Sequence, residues 1–270
     1  MKNKVSLLLV CMLALSPAWS VVVVQDLSHL TQIASVITPI DRDQIHPHRE
    51  KTQLGVVKTS RDNWSGYAAT STEKSVSYVT GTWTVPPLVA TKDDTYCAVW
   101  VGIDGDGSSS VEQIGTAHNW VNGARENYAW FEMYPHGAYK INGFPVEKGD
   151  QITATVVYDG DDTFKMILTN HTQAVTTTIP TEYTKSSSAQ RRSAEWVVEA
   201  PYSGSILQLA DYGIVTFSDC STIINGVSGG IESNDWPAKV IDMDHSHIIK
   251  ATASTLNDEK NSFNVAWDHE

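Results

Sequence analysis

The stretch QITATVVYDGDDTFKMILT, residues 151–169, decides the fold. Apolar side chains alternate with polar ones over Gln151–Tyr158 and again over Thr163–Thr169. A period of two is typical of a strand with one buried face, and the Asp-Gly-Asp-Asp between the two runs is a hairpin turn. The stretch therefore predicts two antiparallel strands joined by a tight turn.

The same period recurs along the rest of the chain. Neither an amphipathic helix nor an internal repeat follows the N-terminal leader. Short strands separated by frequent turns predict an all-β fold, an antiparallel β-sandwich. Besides the hairpin, strands are predicted at residues 76–85, 97–103, 128–134, 194–199, 213–217 and 263–267.

The composition predicts a folded, acidic protein. The 270 residues are 41% hydrophobic and 19% charged, which leaves enough apolar material for a core. A net charge of −12 repels nucleic-acid phosphates, so we expect no nucleic-acid partner. Apolar runs fall short of the about 18 residues of a membrane-spanning helix, so we expect no membrane partner once a signal peptide is removed. With neither an HExxH nor a CxxC pair, no metal or other cofactor is expected, and we expect a monomer.

The N-terminus predicts an exported protein. Residues 1–20 combine two early lysines, an apolar run over Val5–Leu15 and small residues before the predicted cleavage site, as signal peptides do. Residues 21–58 hold no Trp, Tyr or Phe and are predicted to be a pro-segment or linker. The sandwich domain is predicted to occupy residues 59–270 of a secreted or periplasmic protein.

Two cysteines, Cys97 and Cys220, stay in the exported chain, because Cys11 lies in the predicted signal peptide. A single disulfide between them would suit an oxidising compartment. Two buried free thiols are the alternative.

Strand phase sorts the side chains of each predicted strand onto two faces. An aromatic surface that includes carboxylates predicts the floor of a ligand groove, because a carboxylate buried without a partner is costly. Plain packing of aromatic side chains is the alternative. Two strands carry such a face, with Tyr128, Trp130, Glu132 and Tyr134 on one and Trp100 and Asp104 on the other.

The segment at 194–199 places Glu195 and Glu199 on one face, about 13 Å apart along a strand. At that distance they cannot form a close acid pair, so an acid–base partner must come from a neighbouring strand. Two solvated glutamates on an edge strand are the alternative.

Seven short blocks occur in order over roughly residues 60–225: Asn63-Trp64-Ser65-Gly66, Trp100-Val101-Gly102-Ile103-Asp104-Gly105, Gln113-Ile114-Gly115, Trp130-Phe131-Glu132-Met133-Tyr134-Pro135, Glu147-Lys148-Gly149-Asp150, Ala194-Glu195-Trp196-Val197-Val198-Glu199 and Val215-Thr216-Phe217. Together they resemble the glutamic peptidases, the eqolisins. Each block alone is weak, and the resemblance rests on their common order.

This resemblance implies a sandwich of two curved antiparallel sheets, of the concanavalin A-like or jelly-roll type. It implies an endopeptidase that hydrolyses polypeptides in acid, with Glu199 as general base and then acid on water and Gln113 as oxyanion stabiliser. Glu195 is not part of the implied pair. Glu132 is predicted to be hydrogen-bonded and to tune Glu199 or orient Gln113. Substrate-binding roles are implied for Trp64, Trp100, Trp130, Glu132 and Tyr134, and strand phase adds Asp104.

Two other classes stay open on the residues alone. A secreted glycoside hydrolase needs two carboxylates about 5–10 Å apart, which Glu132 and Glu199 could supply in a Trp-lined groove, and a carbohydrate-binding sandwich is related to it. A non-catalytic module that has kept the fold is the other class. The intact Gln113 and Glu199 favour the peptidase.

Overall fold

The computed structural model describes residues 31–32, 36–39 and 56–269. The predicted signal peptide at 1–20, and most of the predicted pro-segment at 21–58, lie outside them. In these ranges the chain forms 18 strands and one 3₁₀ turn, Thr181–Tyr183. The first nine strands are β1 (Thr31–Gln32), β2 (Val36–Pro39), β3 (Val57–Arg61), β4 (Trp64–Thr70), β5 (Val76–Thr84), β6 (Thr95–Ile103), β7 (Val111–Val121), β8 (Ala124–Tyr134) and β9 (Tyr139–Asn142). The others are β10 (Gln151–Gly160), β11 (Thr163–Asn170), β12 (Val175–Thr178), β13 (Ser193–Glu199), β14 (Ile214–Ile224), β15 (Val227–Gly229), β16 (Ala238–His245), β17 (Ile248–Ala253) and β18 (Phe263–Trp267).

The strands pair into two layers. The first layer has the order β3-β16-β4-β13-β6-β7-β8-β9-β2, and only β3 and β16 pair in parallel. The second has the order β1-β12-β11-β10-β5-β14-β18-β17, with β1 and β12 in parallel and β15 paired to one end of β14. The β16–β17 hairpin joins the two layers. The predicted all-β sandwich is confirmed.

The predicted hairpin at residues 151–169 is confirmed, both in its two strands and in its turn. β10 and β11 pair antiparallel, with Val156 opposite Met166. Asp161 and Asp162 have φ of 48° and 56°, the left-handed conformation that a tight two-residue turn requires at both central positions. The strand alternation and the turn residues therefore agree on one local structure.

The main core lies between the layers. It combines one face of β6, with Val99, Val101 and Ile103, with residues of the second layer such as Val79 and Ile152. Burial of such aliphatic side chains contributes about 1.5–3 kcal/mol each. Two indole N–H groups that enter this core are paired: Trp83 Nε1 donates to Thr116 Oγ1 at 3.0 Å, and Trp196 Nε1 donates to the carbonyl of Thr80 at 2.7 Å.

The predicted disulfide is wrong, and the alternative of two buried free thiols is correct. Cys97 and Cys220 are both free and buried. Cys97 faces the core from β6 of the first layer, whereas Cys220 enters the same core from β14 of the second. Each thiol is used as a small apolar core residue rather than as a cross-link.

The opposite face of the first layer points away from the second layer, and we call it the outer face. Its apolar residues form a second, smaller cluster that includes Trp64, Trp100, Tyr128, Trp130 and Tyr134. The predicted face is therefore confirmed for Trp100, Tyr128, Trp130 and Tyr134. None of the helical segments in the described ranges has the length and apolar character needed to span a membrane.

Candidate active site

Gln113 projects from β7 onto the outer face, directly opposite Glu132 on β8. Its Nε2 donates to Glu132 Oε2 at 2.6 Å, and only 4% of the residue is exposed. A side-chain amide has two N–H donors, so one remains after this contact. The amide oxygen, Oε1, is buried and has no hydrogen-bond partner among the described residues. The predicted contact between Glu132 and Gln113 is present, and it fixes the direction in which the amide points.

Glu199 ends β13 on the same face, with 5% of the residue exposed. Asn63 Nδ2 donates to its Oε1 at 3.1 Å, and Trp100 Nε1 donates to its Oε2 at 2.8 Å. A carboxylate is an acceptor-only group, so one N–H on each oxygen suits its ionised form. Both oxygens of this almost fully buried carboxylate are thereby held in place.

The register of the strands shows how the two side chains are arranged. Gln113 lies opposite Gly102 of β6, whereas Glu199 lies opposite Ala98 of the same strand. They therefore sit on either side of β6 and four residues apart along it, and the side chain of Trp100 lies between the two positions. The space between Gln113 and Glu199 is floored by an indole ring.

Two glycines let Trp100 lie flat on the sheet. A Cβ atom at Gly102 would be 3.1 Å from Cζ3 of Trp100 and 3.2 Å from Cβ of Gln113. A Cβ atom at Gly115 would be 2.6 Å from Cβ of Trp100, a distance that real side chains do not adopt. The absence of these two side chains brings Trp100 and Gln113 together.

Aromatic rings continue the floor on both sides of this indole. Trp64 and Trp100 meet edge to face, with centroids 4.9 Å apart and planes at 77°. Trp130 and Tyr134 extend the surface along β8. The indole Nε1 atoms of Trp64 and Trp130 are buried and have no hydrogen-bond partner in the described part of the chain.

Asp104 occupies a different position from the one that strand phase predicts. It is fully buried just beyond β6, with φ of 69°. Its carboxylate accepts the backbone N–H groups of Arg191 at 2.6 Å and Arg192 at 2.9 Å. Burial raises its pKa, whereas these backbone hydrogen bonds lower it. Asp104 therefore anchors the segment that leads into β13, and its oxygens do not face the aromatic floor.

Glu112, the neighbour of Gln113, points into the interior. It is fully buried, and Ser186 Oγ donates to its Oε1 at 2.6 Å. Burial, and secondly the charge of Asp104, raise the pKa of Glu112 well above its usual range. It is an internal acid, separated by the sheet from the Gln113 side chain.

Glu195 lies on the outer face, yet it is sealed from solvent with 0% exposed. Its Oε1 accepts the backbone N–H of Asp106 at 3.2 Å. The carboxylate of Asp106 is paired with Lys239 Nζ at 2.5 Å and Arg61 at 2.7 Å. Burial is the main cause that raises the pKa of Glu195 well above its usual range. The alternative of an edge strand with two solvated glutamates is wrong, because β13 is hydrogen-bonded to β4 and β6 on its two sides.

The structure thus brings most of the predicted residues to one surface. Sequence reasoning missed Asn63 as the second donor to Glu199, although it lies in the quoted Asn-Trp-Ser-Gly block. It also missed the cations under the surface, Arg61 and Lys239, for which the sequence offers no local signal. The predicted residues on the outer face are Trp64, Trp100, Gln113, Trp130, Glu132, Tyr134 and Glu199.

Comparison with known proteins gives one family and one fold. The sequence profile of the Peptidase A4 family matches residues 62–267. No curated protein matches the chain in sequence. Among solved structures, scytalido-glutamic peptidase with a transition state analog inhibitor is similar with 22% identity and a TM-score of 0.66, over 78% of this chain and 100% of the other.

Two further structures have the same fold. SCP-B, described as a member of the eqolisin family and bound to the tripeptide Ala-Ile-His, has 21% identity and a TM-score of 0.62, over 78% of this chain and 100% of the other. Aspergilloglutamic peptidase from Aspergillus niger has 27% identity and a TM-score of 0.55, over 64% of this chain and 99% of the other.

Proposed function

The chain belongs to the Peptidase A4 family and is a glutamic peptide hydrolase, and from this premise we propose that Glu199 and Gln113 are its catalytic pair and that it is an exported enzyme active in acid. One observation carries the assignment of the pair. On a face lined by indole rings, Glu199 is held through both oxygens and Gln113 through its amide nitrogen, while Oε1 of Gln113 has no partner among the described residues. Export is supported by the signal-peptide pattern at residues 1–20.

The reaction begins with a water molecule over the Trp100 ring. Glu199 takes a proton from this water, and the water oxygen forms a bond to the peptide carbonyl carbon. The carbonyl oxygen becomes an oxyanion and accepts the second Nε2–H of Gln113, the one that Glu132 does not use. Before the attack, Oε1 of Gln113 accepts a hydrogen bond from the other O–H of the water, and this proton stays on the attacking oxygen throughout. The protonated Glu199 then gives its proton to the amide nitrogen, the carbon–nitrogen bond breaks, and an acid and an amine are released.

This pair suits acid conditions. An ordinary glutamic acid titrates near about 4.3, so such a base works at pH values where a histidine would be protonated. A glutamine amide does not titrate, so the oxyanion donor is the same at every pH. The substrate class is a polypeptide, in keeping with membership of the Peptidase A4 family.

The carbohydrate alternative requires Glu132 and Glu199 to act as a pair on one glycosidic bond. Glu132 is instead hydrogen-bonded to Gln113, which accounts for its place on the outer face.

The test is hydrolysis of an unfolded protein substrate from acid to neutral pH by four forms of the chain. Glu199→Gln and Gln113→Ala are expected to lose at least about 100-fold in kcat/KM, the usual cost of removing a catalytic base or an oxyanion donor. Glu195→Gln is the matched control, with the same substitution on the same strand and face. It is expected to keep its activity, because Glu195 is sealed from the groove. Activity that survives in Glu199→Gln, or that is lost equally in Glu195→Gln, would contradict the assignment.

A further inference from the structure

Two short strands ahead of the family-matched region lie at the edges of the two layers. β2 pairs antiparallel with β9, so that Ile37 lies opposite Ile141. β1 pairs in parallel with β12, with Thr31 opposite Val175, and the N–H of Thr31 donates to the carbonyl of Ala174 at 2.7 Å. The segment that precedes the sandwich domain therefore adds one strand to each layer.

The side chains of β2 follow the alternation of a true sheet strand. Ile37 is half-buried and packs against the core between the layers, as does its partner Ile141. The next residue, Thr38, turns to the other face, where Asn142 Nδ2 donates to its Oγ1 at 3.3 Å. One apolar contact and one polar contact thus fix the register of the segment on β9.

β9 and β12 are open edges without this segment. In the described ranges β9 pairs only with β8 and β2, and β12 only with β11 and β1. An unpaired edge presents a row of backbone N–H and C=O groups that will bond to another strand. From Gln32 to Val36 the chain can reach about 14 Å at most, and stacked sheets lie about 10 Å apart, so the chain is long enough for one strand to lie at each edge.

We propose that the edges of β9 and β12 form a strand-docking site for Thr31–Gln32 and Val36–Pro39, and that these strands clamp the two layers together. The site takes an extended peptide with an inward apolar side chain, bound mainly through its backbone. It lies apart from the catalytic pair, since β2 is three strands from β7 and five from β13, about 14 and 24 Å across the sheet. The clamp stabilises the fold without occupying the aromatic surface, and it does not depend on the proposed catalytic roles.

Hydrogen exchange in the full chain tests the clamp. The parent carries Glu199→Gln to prevent self-cleavage, and Ile37→Asn is compared with Thr38→Asn, the same new side chain on the opposite face. We expect backbone amides of β9 and β12 to exchange at least tenfold faster in Ile37→Asn and less than threefold faster in Thr38→Asn. Amides of β6 and β13 should not change. Unchanged exchange of β9 and β12 in Ile37→Asn would overturn the proposal.

Cross-linking gives a second test that needs no loss of stability. Thr38 lies opposite Lys140, so a full chain with Cys11→Ser, Thr38→Cys and Lys140→Cys is expected to close a disulfide under mild oxidation. The control places the second cysteine at the far edge of the same layer, as Thr38→Cys with Lys58→Cys. Equal cross-linking in the two chains would also overturn the proposal.

Discussion

The substitution Glu195→Gln should change how the stability of the domain depends on pH. Burial raises the pKa of Glu195 well above its ordinary value of 4.5, so the folded chain keeps this proton at pH values where the unfolded chain has lost it. The free energy of unfolding therefore falls as pH rises above about 4.5, by about 1.4 kcal/mol per pH unit for this one group. Glutamine cannot titrate, and its side-chain oxygen can still accept the Asp106 N–H.

We expect the variant to lose less stability than its parent as pH rises above about 5, by up to about 1.4 kcal/mol for each pH unit. Urea unfolding followed by tryptophan fluorescence measures this, with Glu199→Gln in every chain to stop self-cleavage. Glu147→Gln, at an exposed position, is the matched control and should keep the parent's pH dependence. Equal pH slopes for Glu195→Gln and its parent would refute the inference that Glu195 is protonated in the fold. Glu112 and Asp104 should leave a residual slope of the same sign, because burial raises the pKa of both.

Three further substitutions give distinct outcomes. Burial lowers the pKa of His118 from 6.5 to about 4, so the free energy of unfolding decreases as pH falls through this range. His118→Gln should make this decrease smaller by up to about 3 kcal/mol, as measured by urea unfolding. Trp100→Phe deletes the N–H on Glu199 and should lower kcat/KM about 10- to 100-fold, and a change below twofold would contradict that role. Glu132→Gln weakens the anchor of Gln113, so kcat should fall about tenfold and the pH–rate profile should change, while an unaltered profile would exclude tuning by Glu132.

The sequence predicts strands well where one face is apolar and the other polar. The hairpin at 151–169 is such a case, and the strand at 194–199 is another. The two glutamates of that strand left an edge position open, whereas β13 pairs with a strand on each side. β7 is the opposite case and was not predicted, because polar side chains occupy both of its faces. Glu112 points inward to Ser186 and Gln113 outward to Glu132. Ser186 lies on a distant segment, 74 positions from Glu112, and a local pattern does not contain such a partner.

In the candidate site, too, local patterns were predicted correctly and contacts between distant segments were missed. Strand phase correctly placed Trp100 and Glu132 on one face, because the alternation of a strand is a local property. It did not find that Asn63 donates to Glu199, since that contact joins residues 136 positions apart. It also placed Asp104 on the aromatic floor, whereas the backbone turns at this residue with positive φ and carries the carboxylate to Arg191 and Arg192.

The reactivity of the two free thiols can be used to follow local opening of the domain. Cys97 and Cys220 have no exposed surface to speak of, and burial raises the pKa of both, so neither forms the reactive thiolate in the closed fold. A thiol reagent added to the folded chain therefore modifies these residues only when the region around each one opens. Cys97 belongs to one layer and Cys220 to the other. The cysteine that is labelled first therefore shows which layer unfolds first around its thiol, and no probe has to be introduced into the sequence.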